Sequence, residues 1–360
     1  MELSALLRSA AMARSSSPCW HWLCGRRSPQ APFSARACFS SCRYQMLQKQ
    51  RGLEKPVAEG SSRVSILGPA QPLGREELLR LLEASLVHAE GDLVAISKPS
   101  GLPVAGKPGE LTLLSLLTDL SQKLGLPENL QVIKAAGKET SGLVLLSSCQ
   151  DTIQHLQDFY VQCRKAGQPE ITYCAVTTRI PAALEGEVRT GLKLMQVEDC
   201  ELVVPVASPS RNSLQRKEVK NTLTRFKVLD SCNGCALLQL QPLTAFPKQL
   251  LVHLTLILSP VLGDHVYSSR VGTVLGEPFL LPAESTLPRV QVLDNFLLDK
   301  LQLQQQQVHR LPLHLHLHQL LLPAASPSSS SMVLTAPPPS FFLQTLHLLG
   351  LTLPQDPDRQ

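Results

Sequence analysis

Side chains able to do chemistry gather at a few places along this chain. The stretch Lys134 to Ser147, KAAGKETSGLVLLS, puts a lysine, one carboxylate (Glu139) and two hydroxyls (Thr140, Ser141) on a small-residue loop. That loop runs into the apolar segment Leu143 to Leu146. A polar turn feeding a buried strand is a common seat for an active site, because the strand is rigid and the loop rims a cleft. It is also an ordinary way to begin a strand, so its meaning depends on its flanks. Lys98, in LVAISKPSGL, offers a cation that could meet substrate or serve the fold.

Two further clusters suggest metal chemistry and then argue against it. His314, His316 and His318 alternate with leucines, a period of two that would put all three on one face of a strand. They would span ~13 Å, too far to share one ion easily. The expectation is a strand with its Leu side inward and its His side wet or covered by a neighbour. Cys232 and Cys235 form a CxxC, but no second pair accompanies them. Asn233-Gly234 between them is a strong hairpin turn instead. Cys149, Cys163, Cys174 and Cys200 are scattered among apolar neighbours, as reduced thiols would be, and Cys19, Cys24, Cys38 and Cys42 fall within residues 1–51. No metal is expected from these clusters.

The net charge of +5 suggests a polyanionic partner, but its distribution weakens that argument. Of 34 basic and 29 acidic residues, eight and one fall within residues 1–51, so the remainder carries a net −2. Nucleic-acid contact must therefore come from a local patch. Arg211 to Lys227 supplies one: Arg211, Arg216, Lys217, Lys220, Arg225 and Lys227 against Glu218 alone. The competing reading is a solvated loop and strand face. The acid-poor, Arg- and Ser-rich segment 1–51 has the composition of a mitochondrial transit peptide. No stretch approaches the ~20 apolar residues of a transmembrane helix, so no membrane insertion is expected.

The elements that must carry these groups follow from periodicity. After a linker over 52–74, helical spacing runs from Arg75 to Ala89, with Leu78, Leu79, Leu81, Leu82 and Leu86 on one side. Leu93 to Ser97 reads as a strand, Leu111 to Leu124 as a helix stopped by Gly125, and Thr152 to Arg164 as another helix. Strands follow at Thr172–Val176 and Glu201–Val206, then a hairpin pairs Asn221–Leu229 with Ala236–Leu240. Lys248 to Leu258 reads as helical. Gln304–Gln307 and Pro323–Ser331 are low-complexity connectors, and Phe341 to Leu349 can close the domain as a last helix, leaving 351–360 as a tail. Strands alternating with helices, plus one clear hairpin, indicate an α+β domain over 75–350 with a mixed, mostly antiparallel sheet.

In order and spacing these segments resemble the RluA-type RNA pseudouridine synthases. The family opens with a strand ending Lys-Pro-x-Gly, matched by LVAISKPSGL. Its second motif ends Asp-x-x-Thr-Ser-Gly before an aliphatic strand, matched by Thr140, Ser141, Gly142 and LVLL. A strand with a central tyrosine is matched by ITYCAV around Tyr173. The last motif is matched in LTAFPKQLLVHL by Thr244, Gln249, Val252 and His253, and LGDHVY supplies Gly263, Asp264 and Tyr267. The resemblance implies a bisected sheet with flanking helices and a central RNA-binding cleft.

It also implies a reaction: uridine leaves its stack at a cost of a few kcal/mol, and its glycosidic bond is broken and remade through carbon without a cofactor. In the family a pocket carboxylate does the covalent or proton-transfer work, an aromatic ring packs on the base, and a basic residue positions the carboxylate. By position Tyr173 is the ring, Leu250 an aliphatic pocket residue, and Thr140, Ser141 and Lys98 are candidate substrate contacts. Here, however, Gly137 stands where the family keeps its aspartate, with Ala135 at the motif's arginine and Lys134 at its histidine. Ala245, Phe246, Lys248 and Leu251 replace Gly, Arg, His and Arg in the last motif. Glu139 is the nearest carboxylate in sequence, displaced by ~6–7 Å of extended chain. Two expectations result. One is an RNA pseudouridine synthase of the mitochondrial matrix, acting on mitochondrial RNA, an mRNA, in support of mitochondrial translation and beside other RNA-processing proteins. The other is a catalytically degenerate relative that binds RNA or partner proteins, as a scaffold, without modifying anything.

Overall fold

A computed structural model describes residues 65–283, 286–324 and 331–354. The transit-peptide segment, most of the linker, part of the 323–331 connector and most of the tail lie outside the described residues. Helix α1 (Arg75–Ala84) is followed by β1 (Leu86–Glu90), β2 (Leu93–Lys98), α2 (Leu113–Leu124), β3 (Gln131–Ala135), β4 (Ser141–Ser147) and α3 (Gln150–Lys165). Next come β5 (Ile171–Thr177), β6 (Glu185–Val197), β7 (Cys200–Val206), α4 (Arg211–Gln215), β8 (Lys220–Cys232), β9 (Cys235–Pro242) and α5 (Gln249–Leu256). The chain ends with a small hairpin, β10 (Val271–Val274) and β11 (Glu277–Leu280), then α6 (Asn295–Leu301), β12 (Leu315–Leu322), β13 (Met332–Thr335) and α7 (Ser340–Leu349).

One 11-stranded sheet runs in the order β1-β2-β4-β12-β5-β9-β8-β6-β7, with β3 also on β4 and β13 also on β12. Among the described residues only β4 and β12 pair in parallel, His316 opposite Ser141 and Leu317 opposite Gly142, and the other pairings are antiparallel. Late-arriving β12 is thus the seam between an N-terminal half-sheet and a C-terminal one. Each half is covered on both faces. Val144 and Leu146 of β4 pack under α1 and α2, while Leu143 and Leu145 alternate to the other face against Leu156 and Tyr160 of α3. Across the seam, Cys174 and Val176 of β5 face α6 and α7, and Ala175 faces α5. A strand buried on both faces has to be apolar throughout, which is why LVLL shows no alternation.

Local chemistry explains most boundaries. Thr112 caps α2 by accepting from Ser115 N, Ser115 Oγ in turn accepts from Thr112 N, and Gly125 ends the helix in the left-handed region at φ 63°. Asn233 and Gly234 both take positive φ, 54° and 78°, the turn that suits strand twist. The expected helix Arg75–Ala89 is corrected: it stops at Ala84, where Ser85 Oγ bonds Leu82 O. Leu86 to Glu90 instead forms an edge strand on β2. Leu86 still packs in the same core as α1, so its helical spacing was real but was served by a strand. The long strand β6 and the β10–β11 hairpin had no legible sequence signal. Among the described residues no helix is long and apolar enough to cross a membrane.

Candidate functional site

A cavity of about 590 Å³ opens at the seam. Tyr173 of β5, with Leu313 and Leu315 leading into β12, forms its floor. The loop carrying Gly137, Lys138 and Thr140 makes one wall, and Thr244 to Leu251 makes the other. Tyr173, Thr140, Leu250 and Gly137, separated by up to 113 residues, are therefore brought together. Burial raises the Tyr173 phenol above its ordinary pKa, helped by the Glu170 carboxylate, so the ring stays neutral. A neutral tyrosine among leucines suits a planar base.

Other candidates lie behind the wall and serve it. Lys98 is 1% exposed, with its ammonium donating to the carbonyls of Pro99 (3.0 Å), Leu102 (2.9 Å) and Lys138 (3.1 Å). Burial pulls its pKa down to about 8, against the pull of Glu139. The reading of Lys98 as a substrate contact is corrected: all three ammonium donors are spent on backbone, one of them fixing the loop at Lys138. Ser141 is likewise buried, its hydroxyl 2.9 Å from His316 Nδ1 across the seam. Gly142, at φ 115°, lies so close to β12 that a Cβ would meet Leu317 O at 2.2 Å. The Ser-Gly pair is thus a device for joining β4 to β12 in parallel.

The last motif divides in the same way. Gln249 Nε2 donates to Thr224 Oγ1 (2.9 Å) and Leu223 O (3.1 Å), and Thr244 Oγ1 donates to Gln249 Oε1 (3.1 Å) and accepts from Leu223 N (2.9 Å). His253 Nε2 lies 2.9 Å from Thr222 Oγ1, and burial lowers the histidine's pKa to about 4. Asp264 accepts from Val266 N and Tyr267 N, while Tyr267 Oη accepts from Val203 N. Residues that match the family pattern fasten α5 and its neighbours to the sheet. Of the positions that depart from it, Gly137, Ala245, Phe246, Lys248 and Leu251 line the cavity, beside the matching Thr140, Tyr173, Thr244 and Gln249.

No Asp or Glu is among the lining residues, and its charged groups are Lys138 and Lys248. Glu139 is half exposed on the outer side of the loop, 3.9 Å from Lys138 Nζ, and its carbonyl accepts from Ser100 Oγ. Lys134, at the family's histidine position, is turned away into a buried pair with Glu170, which Arg164 joins at 2.9 Å. Ala135 packs into the core beneath α1 and α2. Gly137 itself is unconstrained: its φ lies outside the left-handed region, and an added Cβ would meet nothing within 4 Å. Among the described residues no group of three His, Cys, Asp or Glu could hold a metal. His314 bonds Pro312 O and Thr345 Oγ1, and its ring stands edge-on to Phe341, so α7 covers the histidine face. Cys232 and Cys235 are free thiols opposite each other across the hairpin.

The basic stretch is shared between two tasks. Arg225 bonds Glu187 (3.0 Å) and the Gly167 carbonyl (3.3 Å), and Lys227 stands opposite Glu185 in the β6–β8 ladder. Arg216 lies 3.8 Å from Glu218. Arg211 and Lys217 are exposed, and Lys220 bonds the carbonyl of Ala245 in the cavity wall at 2.9 Å. That last bond ties the patch to the cavity.

Comparison with known proteins agrees with this architecture. The family model for RNA pseudouridylate synthase matches residues 92–256. The chain is 51% identical over 325 residues to mitochondrial mRNA pseudouridine synthase RPUSD3 of Bos taurus, covering 89% of this chain and 93% of that one. It is 55% identical over 282 residues to the Homo sapiens protein of the same name, covering 78% and 80%. The solved human RNA pseudouridylate synthase domain containing 4 superimposes with TM-score 0.60 at 27% identity, over 78% of this chain and 98% of that chain. The half-sheets, the seam and the matched residues that fasten them have one explanation: the chain belongs to the RNA pseudouridylate synthase family.

Proposed function

We propose that this protein is an RNA pseudouridine synthase acting on mitochondrial RNA, an mRNA, in the matrix, in support of mitochondrial translation. The observation that carries the reading is the cavity at the seam, floored by Tyr173 and sized for a nucleoside. Its two lysines and the neighbouring Lys220 suit the phosphates around an extruded uridine. The names of the relatives and the acid-poor segment 1–51 support the mitochondrial assignment. Other RNA-processing proteins of the organelle are the natural company of such an enzyme.

A second reading rests on one specific observation, the absence of any carboxylate among the cavity's lining residues. Under it the protein captures uridine and leaves it unmodified. Catalysis under the first reading needs a loop movement that carries Glu139 inward. One experiment separates the two: purified full-length protein is incubated with a transcript of a mitochondrial mRNA, and pseudouridine is quantified at single-nucleotide resolution. Turnover that disappears in Glu139→Gln supports the synthase. Binding without turnover supports the second reading, and absence of both overturns the proposal.

A further inference from the structure

A second cleft, of about 530 Å³, lies at the other end of β5. Thr178 lines it just past that strand, and Pro260 lines it just past α5. Tyr173 and Thr178 are five residues apart, about 17 Å along a strand. The first turn of α5 lines the uridine cavity, so the two openings lie beyond opposite ends of both elements.

The lining of this cleft has a definite chemistry. Arg179 and Arg289 are both among its lining residues. Arg179 is docked by one hydrogen bond, Nη2 to Thr273 Oγ1 at 2.7 Å, which leaves its other N–H groups available. Arg289 is exposed and makes no ion pair among the described residues. Asp294 is the carboxylate in the lining, and its Oδ1 is engaged by Leu297 N at 2.7 Å as the cap of α6. Two arginines and one aspartate among the lining residues leave the cleft with a net positive charge. The ligand that resolves this is an oxyanion with paired oxygens.

We propose that this cleft binds phosphate groups of the RNA strand that flanks the uridine held at Tyr173. The proposal rests on the RNA-binding reading above and adds a second contact point toward the opposite end of β5, on its α6 side. Such a point would fix the direction in which the strand leaves the uridine cavity. A free phosphate compound would present the same chemistry, so the test includes one.

Binding of a uridine-containing single-stranded transcript is measured against salt for the wild type, Arg289→Gln, and Arg179→Gln combined with Arg289→Gln. Uridine monophosphate is titrated in parallel, with the arginine Nε–H resonances as readout. Each lost phosphate contact should reduce the slope of log K against log salt by about 0.7 on a single strand. The single variant should therefore lose about 0.7 and the double about 1.4, with affinity falling several-fold at low salt. Arg289→Gln changes an exposed side chain and keeps the fold, so its result stands even if the double variant unfolds. Unchanged slope and affinity in Arg289→Gln overturn the proposal. Resonance shifts with uridine monophosphate but an unchanged transcript slope also overturn it, and assign the cleft to a free phosphate compound. A wild type that binds no transcript overturns the RNA reading itself, and this proposal with it.

Discussion

Restoring a carboxylate at Gly137 is the perturbation that the geometry makes most informative. An added Cβ there meets nothing within 4 Å and the backbone is outside the left-handed region. Gly137→Asp should therefore fold normally, with stability changed by less than about 1 kcal/mol, since restricting the unfolded chain offsets small native-state costs. Lys138 and Lys248 line the same cavity, so the new carboxylate would be ionised at neutral pH. A positioning cation is still needed, and the structure says where to put it. Ala135, at the family's arginine in the second motif, packs in the core beneath α1 and α2, where a guanidinium would be buried at severe cost. Phe246, at the arginine of the last motif, lines the cavity. Gly137→Asp with Phe246→Arg should thus raise pseudouridine formation on a bound transcript by ~10²-fold or more over wild type, the lower end of what one positioned acid–base group supplies. Single-turnover assays at saturating protein separate this from weaker RNA binding. Robust turnover by the wild type, with no gain in the double variant, would refute the reasoning and direct attention to Glu139.

Other outcomes follow from the same coordinates. Gly142→Ala should destabilise the protein by about 3–5 kcal/mol, combining backbone strain at φ 115° with a Cβ driven onto Leu317; a melting temperature within 3 °C of wild type would contradict the close approach. His253, His314 and His316 are held neutral by burial, with pKa values of about 4 against the ordinary 6.5. The unfolded chain therefore takes up protons first as pH falls. Their stabilisation is complete above about pH 6.5 and is lost toward pH 4, by up to ~1.4 kcal/mol per pH unit for each histidine. Asp264, raised by burial, opposes this with one group against three; urea midpoints that stay flat from pH 7.5 to 5 would exclude it. Charge reversal at Arg211, Lys217 and Lys220 together should weaken RNA binding and lower its salt slope, whereas reversal at Arg225, already paired with Glu187, should cost mainly stability. Deletion of residues 1–51 should leave the protein folded but outside mitochondria, as imaging of a tagged form would reveal.

Much of this protein is written locally. Asn233-Gly234 specifies its hairpin because only those residue types accept positive φ at both positions cheaply. The Thr112–Ser115 cap and Gly125 delimit α2, and the leucine stripe between them needs only a covered face. The missing aspartate is equally legible, since Gly137 can supply no carboxylate in any fold. What the chain could not announce is which matched residues face substrate. Lys98 read as a possible contact, and the three carbonyls that consume its donors are assembled from two loops 40 residues apart. Ser141 read as a rim hydroxyl, yet its partner His316 arrives 175 residues later on β12. The helical spacing after Arg75 continued to Leu86 because helix and edge strand bury leucines in one core. Periodicity reports that a side chain is buried, and only the long-range pairing of strands decides what it is buried against. At the seam between β4, β12 and β5 that pairing places Lys98, Ser141 and Gly142 in the scaffold and brings Tyr173 and Thr140 into one cavity with Gly137, Phe246 and Lys248.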